Sequence, residues 1–270
     1  MSEAVRVGIA GLGAIGRAVA RKLHDGAIAR MELAGVAVRD SAKASDFLRE
    51  IGCAAPILSL GELAARSDIV IECAPPALMV EIATPVLSAG KKIMVLSAGM
   101  LLKHPELIAL AREHGGQIIV PTGALIGFDA VSAAAEGQIH SVTMITRKPV
   151  KGLVGAPYLV NNKIGIEGLT EAKRVFCGTA REAAMGFPEN VNVAAALSLA
   201  GIGPDRTTIE IWADPNVQRN MHRVVVEADS ARFEMSIENV PSENPKTGRI
   251  TALSVLAALR KMTAPLRVGT

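Results

Sequence analysis

The sequence predicts an α/β protein: a doubly wound parallel sheet of Rossmann type at the N-terminus, followed by a second α+β domain with a mixed or antiparallel sheet. Three observations carry this. From Val5 to about Val120, short apolar runs alternate with helix-like stretches, the pattern of successive βα units. The chain is 50% apolar but only 3% aromatic, so its core has to be built from Ala, Val, Ile and Leu, the usual filling of helices on a parallel sheet. After Pro121 the texture changes to strands with polar alternation, as expected of a sheet with one wet face.

The predicted parallel strands are Val5 to Ala10, Leu33 to Val38, Asp68 to Cys73, Lys92 to Leu96 and Gln117 to Val120. Helices are expected at Ile15 to His24, Ser41 to Ile51, Leu78 to Ala89 and Pro105 to His114, each followed closely by a glycine (Gly26, Gly52, Gly90, Gly115) where a helix stop favours positive φ. In the second half, residues 140 to 147, 206 to 213, 222 to 228 and 231 to 240 read as strands, with a hairpin turn at Ala228-Asp229-Ser230. Phe233, Met235 and Ile237 share one face of the last strand, opposite Arg232, Glu234 and Ser236. Pro241 to Gly248 is the clearest loop, and Ile250 to Met262 reads as a closing helix.

Composition narrows the partners. A formal charge of +3, without a dense Lys/Arg block interleaved with aromatics, argues against nucleic acid. The apolar region from Ile69 to Leu87 is broken by Glu72, Pro75, Pro76 and Glu81, so no membrane span is expected there. The N-terminus runs straight into a strand without the features of a signal peptide, and three cysteines (Cys53, Cys73, Cys177) lack CxxC spacing. Both fit reduced thiols and a cytoplasmic location, and no metal site is expected.

The most informative motif is Gly11-Leu12-Gly13-Ala14-Ile15-Gly16, directly after the first strand and opening the first helix. In such a turn the first glycine makes the bend, the second lets backbone approach a pyrophosphate, and the third lets helix and strand pack closely. The helix N-terminus, with Ala14 and Ile15 in it, offers N–H groups and a positive dipole end to the phosphates. The implied cofactor is NAD or NADP. An acidic residue normally takes the adenosine ribose hydroxyls about twenty residues on; here the segment is Val38-Arg39-Asp40. Arg39 at the strand end would pair with a 2′-phosphate, whereas Asp40 would serve the ribose of NADH, so dual use is expected. Ligands of these sheets lie outside the carboxyl ends of the strands, which adds Cys73, Ala74, Pro75, Ser97, Ala98 and the Pro121-Thr122-Gly123-Ala124 segment to the cofactor crevice.

For the chemistry, His222 stands out among five histidines. Period-two alternation through Asn220 to Val226 puts Asn220 and His222 on the face of Val224 and Val226, the expected buried face; a core histidine satisfied by one hydrogen bond is the competing explanation. His24, His104 and His114 sit at expected helix ends, and His140 opens what reads as an edge strand. Arg147-Lys148 ends a strand and offers two cations that could hold a carboxylate substrate, with a solvated strand end as the competing explanation. Asn190 and Asn192 precede a helix-like run to Ala200, with Asn190 open to reading as an ordinary cap.

Across nearly its whole length the chain resembles the L-aspartate dehydrogenase family. The resemblance rests on the glycine turn, Cys73-Ala74-Pro75, Val120-Pro121-Thr122-Gly123-Ala124 followed by Asp129-Ala130, Thr146-Arg147-Lys148-Pro149, Phe187-Pro188-Glu189-Asn190-Val191-Asn192-Val193, and Asn220-Met221-His222. It implies that Ala124 and Asn190 contact the nicotinamide half of the cofactor and that His222 is the active-site histidine. Thr122, Arg147, Lys148, Asn192 and Asn220 become candidates for substrate contact. It further implies reversible oxidative deamination of L-aspartate to iminoaspartate, then oxaloacetate and ammonia, linked to NAD biosynthesis. The departures are Thr122 where Ser is frequent, Ile126-Gly127 where a glycine pair is frequent, and Arg39 where relatives often carry an acid. Dihydrodipicolinate reductase and homoserine dehydrogenase share the architecture, although the paired-histidine loop associated with the former is absent; a dinucleotide sensor without catalysis is the alternative of another class. The expected organisation is a dinucleotide-binding domain over residues 1–120, with a helix at about 248–270 packing back on it, and a substrate, catalytic and oligomerisation domain over 121–247. A homodimer is expected from the open second sheet.

Overall fold

The computed structural model describes residues 4–188, 191–241 and 248–269 and divides into two compact units, Met1–Pro121 with Ala252–Arg267, and Thr122–Thr251 with Val268–Thr270. In the first unit, β1 (Val5–Ala10), β2 (Met31–Ala37), β3 (Ile69–Glu72), β4 (Lys92–Val95) and β5 (Gln117–Ile119) form a sheet of order β2-β1-β3-β4-β5 in which every pair is parallel. The helices between them are α1 (Ala14–His24), α2 (Ser41–Glu50), α3 (Leu60–Arg66), α4 (Met79–Ser88), α5 (Ala98–Lys103) and α6 (Glu106–His114). The order reverses direction at β1 and β3, the switch point outside which such sheets bind ligands.

Two apolar layers sandwich this sheet. One gathers Val7, Ile9, Val19, Leu23, Phe47 and Ile71 with Val255, Leu256 and Leu259 of the closing helix; the other gathers Ala10, Val70, Ile82, Val86, Ile93 and Leu107. Aliphatic residues dominate both, as the low aromatic content requires. Gly26, Gly52, Gly90 and Gly115 all take positive φ, between +65° and +69°, at helix ends.

The second unit contains α7 (Phe128–Ala135), β6 (Ile139–Lys148), α8 (Pro157–Asn161), β7 (Lys173–Thr179), α9 (Ala180–Gly186), α10 (Asn192–Ala200), β8 (Thr207–Ala213), β9 (Asn220–Ala228) and β10 (Arg232–Asn239); α11 (Arg249–Thr263) runs from it into the first unit. Its sheet has the order β10-β9-β6-β8-β7 and is mixed, with β6 and β8 parallel and the remaining pairs antiparallel. The fold is therefore the α/β class read from the sequence, with a parallel Rossmann-like sheet and a second, mixed sheet.

Several elements lay beyond sequence reading. Strand β7 and helices α3, α5, α7, α8 and α9 were not expected. The helices among them are eight residues or shorter, too few turns for a 3.6-residue period to declare itself. His140 does not lie on an edge strand: β6 is central, between β9 and β8, and polar positions near its start are exposed because the sheet end, not the sheet edge, meets solvent there. The loop expected from Pro241 to Gly248 begins and ends in a bridge between those two residues; its interior lies outside the described residues. Among the described residues, no helix is long and apolar enough to cross a membrane.

Candidate active site

In the first unit the glycine turn has the geometry its sequence implies. Gly11 has φ +98°, and a Cβ there would lie 2.5 Å from the carbonyl oxygen of Cys73. A Cβ on Gly16 would collide with the carbonyl oxygen of Gly11. Both positions are therefore closed to any side chain, and the turn can close only with glycine. Gly13 differs: the space beside it is open, and it is the N-cap of α1 without any side-chain cap. An uncapped N-terminus of an eleven-residue helix, facing open space through a glycine, fits the pyrophosphate of a dinucleotide. Ala14 is exposed and Ile15 half-buried in the same turn, and Arg17 braces it by donating from Nε to the Leu12 carbonyl at 3.1 Å.

Arg39 lies two residues beyond the end of β2, exposed. Asp40 is committed elsewhere: it is the N-cap of α2, accepting from the Lys43 N–H at 3.1 Å and pairing with Lys43 Nζ at 3.0 Å, and those bonds hold its carboxyl below the usual range. Asp40 thus serves the helix start as well as standing where a ribose ligand was expected. Cys73 and Ala74 are half-buried and Pro75 exposed, at the carboxyl end of β3. Burial, then the charge of Glu72, pushes the Cys73 thiol up, so it stays protonated. Ser97 and Ala98 are buried, and the Ser97 hydroxyl is spent on Glu72 at 3.1 Å.

The second unit concentrates its polar groups at one end of a buried sheet face. Along β6, Val142, Met144, Thr146 and Lys148 point to that face; Val226, Val224 and His222 continue it on β9, and Ile209, Ile211 and Ala213 on β8. The face is apolar until its last rungs, where Thr146, His222 and Lys148 replace aliphatic side chains, each 5% exposed or less. Thr146 and His222 are register partners, with Oγ1 3.1 Å from Nδ1. Burial and then the nearby Lys148 charge depress the imidazole to about 3, so the ring is neutral at physiological pH. Burial likewise lowers Lys148 to about 8.

The two expected cations do not act as a pair. Strand alternation sends Lys148 into the buried face and Arg147 to the other side. There Arg147 pairs with the buried Asp214 at 3.1 Å and lies over the Trp212 ring at 5.3 Å.

Thr122 opens a short turn, its carbonyl accepting the Leu125 N–H at 3.1 Å, with Gly123 at φ +61°. Ala124, next in the turn, has its carbonyl held by Asn239 Nδ2 at 2.9 Å. Asn239 in turn sits opposite Asn220 in the β10–β9 ladder. Asn192 starts α10, whose N-cap is Val191; Asn190 lies outside the described residues. Among the described residues, no group of three or more His, Cys, Asp or Glu side chains is placed to hold a metal ion.

Three residues escaped the sequence reading: Glu72, Asn239 and Asp214. A signal existed for two. Glu72 is the one acid in a strand otherwise apolar on both faces, and Asn239 follows Phe233, Met235 and Ile237 on the apolar face of β10.

Comparison with known proteins gives the family. Residues 129–262 match the family model "Aspartate dehydrogenase, C-terminal", and residues 11–121 match "Homoserine dehydrogenase, NAD binding domain". The L-aspartate dehydrogenase of Bradyrhizobium diazoefficiens is 58% identical, over 100% of this chain and 95% of its own length. L-aspartate dehydrogenase 3 of Bordetella bronchiseptica is 55% identical, over 99% and 98%. Among solved structures, aspartate dehydrogenase from Thermotoga maritima superposes with a TM-score of 0.74 at 23% identity, covering 98% of this chain and 99% of that one, a likeness of fold. With full-length relatives above half identity, the chain belongs to the L-aspartate dehydrogenase family.

Proposed function

We propose that this protein catalyses the reversible oxidative deamination of L-aspartate to iminoaspartate, which hydrolyses to oxaloacetate and ammonia, with NAD or NADP as hydride carrier. The observation that carries the reading is the polar end of the buried sheet face, where a neutral His222, fixed by Thr146, stands beside a buried Lys148. When bound, the nicotinamide supplies the hydride acceptor, and the protein supplies orientation and charge. Gly11, Gly13, Ala14, Ile15, Gly16 and Arg39, with Cys73, Ala74, Pro75, Ser97 and Ala98 shaping the strand ends, would hold the dinucleotide. Ala124 and Asn190 would meet its nicotinamide half.

Aspartate arrives as an ammonium, which must lose a proton before its lone pair can drive hydride from Cα. With Nδ1–H donating to Thr146 Oγ1, the Nε2 lone pair of His222 is left to accept that proton. Lys148 would pair with a substrate carboxylate. That pairing offsets the charge which helps depress His222, so substrate binding itself makes the ring a better base. Asn220, Asn192 and Thr122 are the remaining candidate substrate contacts. Arg147 would act at one remove, since Asp214 already holds it.

We further infer a homodimer, because β7 and β10 are the edges of the second sheet and unpaired edges invite pairing between copies. The deciding experiment follows NADH or NADPH absorbance with oxaloacetate plus ammonia, and with 2-oxoglutarate plus ammonia alongside. Consumption that requires oxaloacetate and ammonia together is the expected result. Consumption with 2-oxoglutarate alone, or none despite measured cofactor binding, would overturn it.

A further inference from the structure

Glu72 ends β3 fully buried, 0% exposed, with no cation paired to it among the described residues. Its Oε2 accepts the backbone N–H groups of Leu96 at 3.1 Å and Ser97 at 2.8 Å, and its Oε1 accepts the Ser97 hydroxyl at 3.1 Å. Ala10 on β1 and Val95 on β4 flank it in register. The next residue, Cys73, donates its N–H to the Ala10 carbonyl at 2.8 Å, and its own carbonyl occupies the space a Cβ on Gly11 would need. The carboxylate thus ties the segment after β4 to the segment after β3, whose backbone is bonded to the residue that precedes the glycine turn.

We propose that Glu72 is a positioning residue of the dinucleotide half-site, which holds the Leu96–Ser97 segment beside the glycine turn and takes up a proton when the dinucleotide binds. The inference rests on the dinucleotide reading of that turn.

The geometry explains why a carboxyl stands here. Ionised, it accepts the three bonds from Leu96 and Ser97. Protonated on Oε1, it still accepts both N–H groups at Oε2 and donates to the Ser97 oxygen instead. The segment is held in either state, and only the charge differs. Desolvation by burial raises Glu72 to about 7, partly offset by the Ser97 and Leu96 donors and the Ala74 N–H, so both states are accessible near neutrality. Of the elements around it, β1 and β4 present Ala10 and Val95, the segment after β4 presents the Ser97 hydroxyl, and the titratable neighbour is the Cys73 thiol, which stays neutral. The glycine turn begins one residue past Ala10, the register partner of Glu72, so two phosphate charges held there disfavour the ionised form, and by linkage binding draws in a proton.

The sign for folding runs the same way. A carboxyl raised in the folded state stabilises the fold below its unfolded value, 4.5, and that contribution is lost as pH rises towards about 7.

The test is NADH binding by fluorescence between pH 6 and 8.5, with proton uptake measured by calorimetry in buffers of different ionisation enthalpy. NADH is the probe because it lacks the 2′-phosphate, which titrates in this range. Wild type is expected to bind about fivefold more weakly at the high end, the order of magnitude for one like charge at this range in a partly screened interior, and to take up a fraction of a proton near neutrality. Glu72→Gln, which mimics the neutral acid, should bind at every pH as wild type does at pH 6, with no uptake. Glu72→Ala should bind more weakly throughout. Ser97→Ala leaves the carboxyl in place but removes one donor, so it should move the midpoint of the profile upward. It keeps the test decisive if either Glu72 variant fails to fold. Superimposable pH profiles for wild type and Glu72→Gln, or an unmoved midpoint in Ser97→Ala, would overturn the proton coupling, and tight binding by Glu72→Ala would overturn the positioning role. Absence of NADH binding by wild type would remove the dinucleotide reading and this proposal with it.

Discussion

Thr146 Oγ1 lies 3.1 Å from His222 Nδ1 across the β6–β9 ladder, and both residues are buried where the apolar face of the second sheet turns polar. The bond fixes ring orientation and, with Nδ1–H as the donor, leaves Nε2 as the acceptor that the proposed base role requires. Replacing His222 by Ala should lower kcat for aspartate oxidation by about 10² to 10⁴, the range for a positioned acid/base group, with NADH affinity retained. Thr146→Val should cost about tenfold, one net hydrogen bond, and Thr146→Ser should recover most of it. Steady-state rates for the three variants check this, and undiminished turnover in His222→Ala would remove the assignment.

Lys148 is buried beside His222 and lowered to about 8, so the pH dependence of the proposed substrate capture has a definite sign. The amine is charged below about 8 and loses its charge above it, so kcat/KM for aspartate should fall as pH rises through that value. Lys148→Met should raise KM for aspartate by about tenfold or more, as expected for losing a charge-assisted bond. It should also let the His222 ring titrate above its wild-type value of about 3, because one of the two causes holding it down is gone. Imidazole resonances followed by NMR through a pH titration separate this from a mere loss of packing. A ring that titrates unchanged would mean that Lys148 does not act on His222.

Much of this arrangement was legible before any coordinates. The parallel strands of the first unit are apolar on both faces and flanked by turn glycines, so their number and order along the chain stood out, and Gly11, Gly13 and Gly16 carry their role in their spacing. His222 was reachable because alternation along Asn220 to Val226 assigns it a face. What did not show was pairing across the chain. Asp214 neutralises Arg147 from 67 residues away, and Asn239 reaches Ala124 from 115 away. Such separations leave no local period. The cap role of Asp40 was hidden too, because a cap and a ribose ligand ask for the same residue type at nearly the same place.

Asn239 is 4% exposed and donates from Nδ2 to the Ala124 carbonyl, so it sets the position of the turn expected to meet the nicotinamide. Its Oδ1 is buried with no partner among the described residues. Asn239→Ala should cost only about 1 kcal/mol of stability, because it removes one bond and one unsatisfied oxygen together. Asn239→Asp should cost more, since a carboxylate cannot donate and would set an anion against the Ala124 carbonyl. The order of melting temperatures, wild type above Ala above Asp, checks the stability claim. An Asp variant at least as stable as Ala would mean that the Ala124 contact is not held as described.

In the proposed dinucleotide site, the cofactor preference is expected to turn on Arg39. It is exposed two residues past the end of β2, while the neighbouring acid, Asp40, is occupied as the cap of α2. A guanidinium at this place can take a 2′-phosphate through two parallel bonds, and the Asp40 carboxylate beside it is already paired with Lys43. Arg39→Ala should therefore raise KM for NADPH by about tenfold or more, the size expected for a charge-assisted bidentate contact, while KM for NADH changes by less than about twofold. Arg39→Asp should go further and invert the preference, since an acid serves the ribose hydroxyls and repels the phosphate. Asp40→Ala is the matched control: it should loosen the start of α2 by about 1 kcal/mol without altering the ratio of NADPH to NADH efficiency. Equal effects of Arg39→Ala on both coenzymes would place Arg39 outside the discrimination and return the ribose contact to another residue of the β2 end.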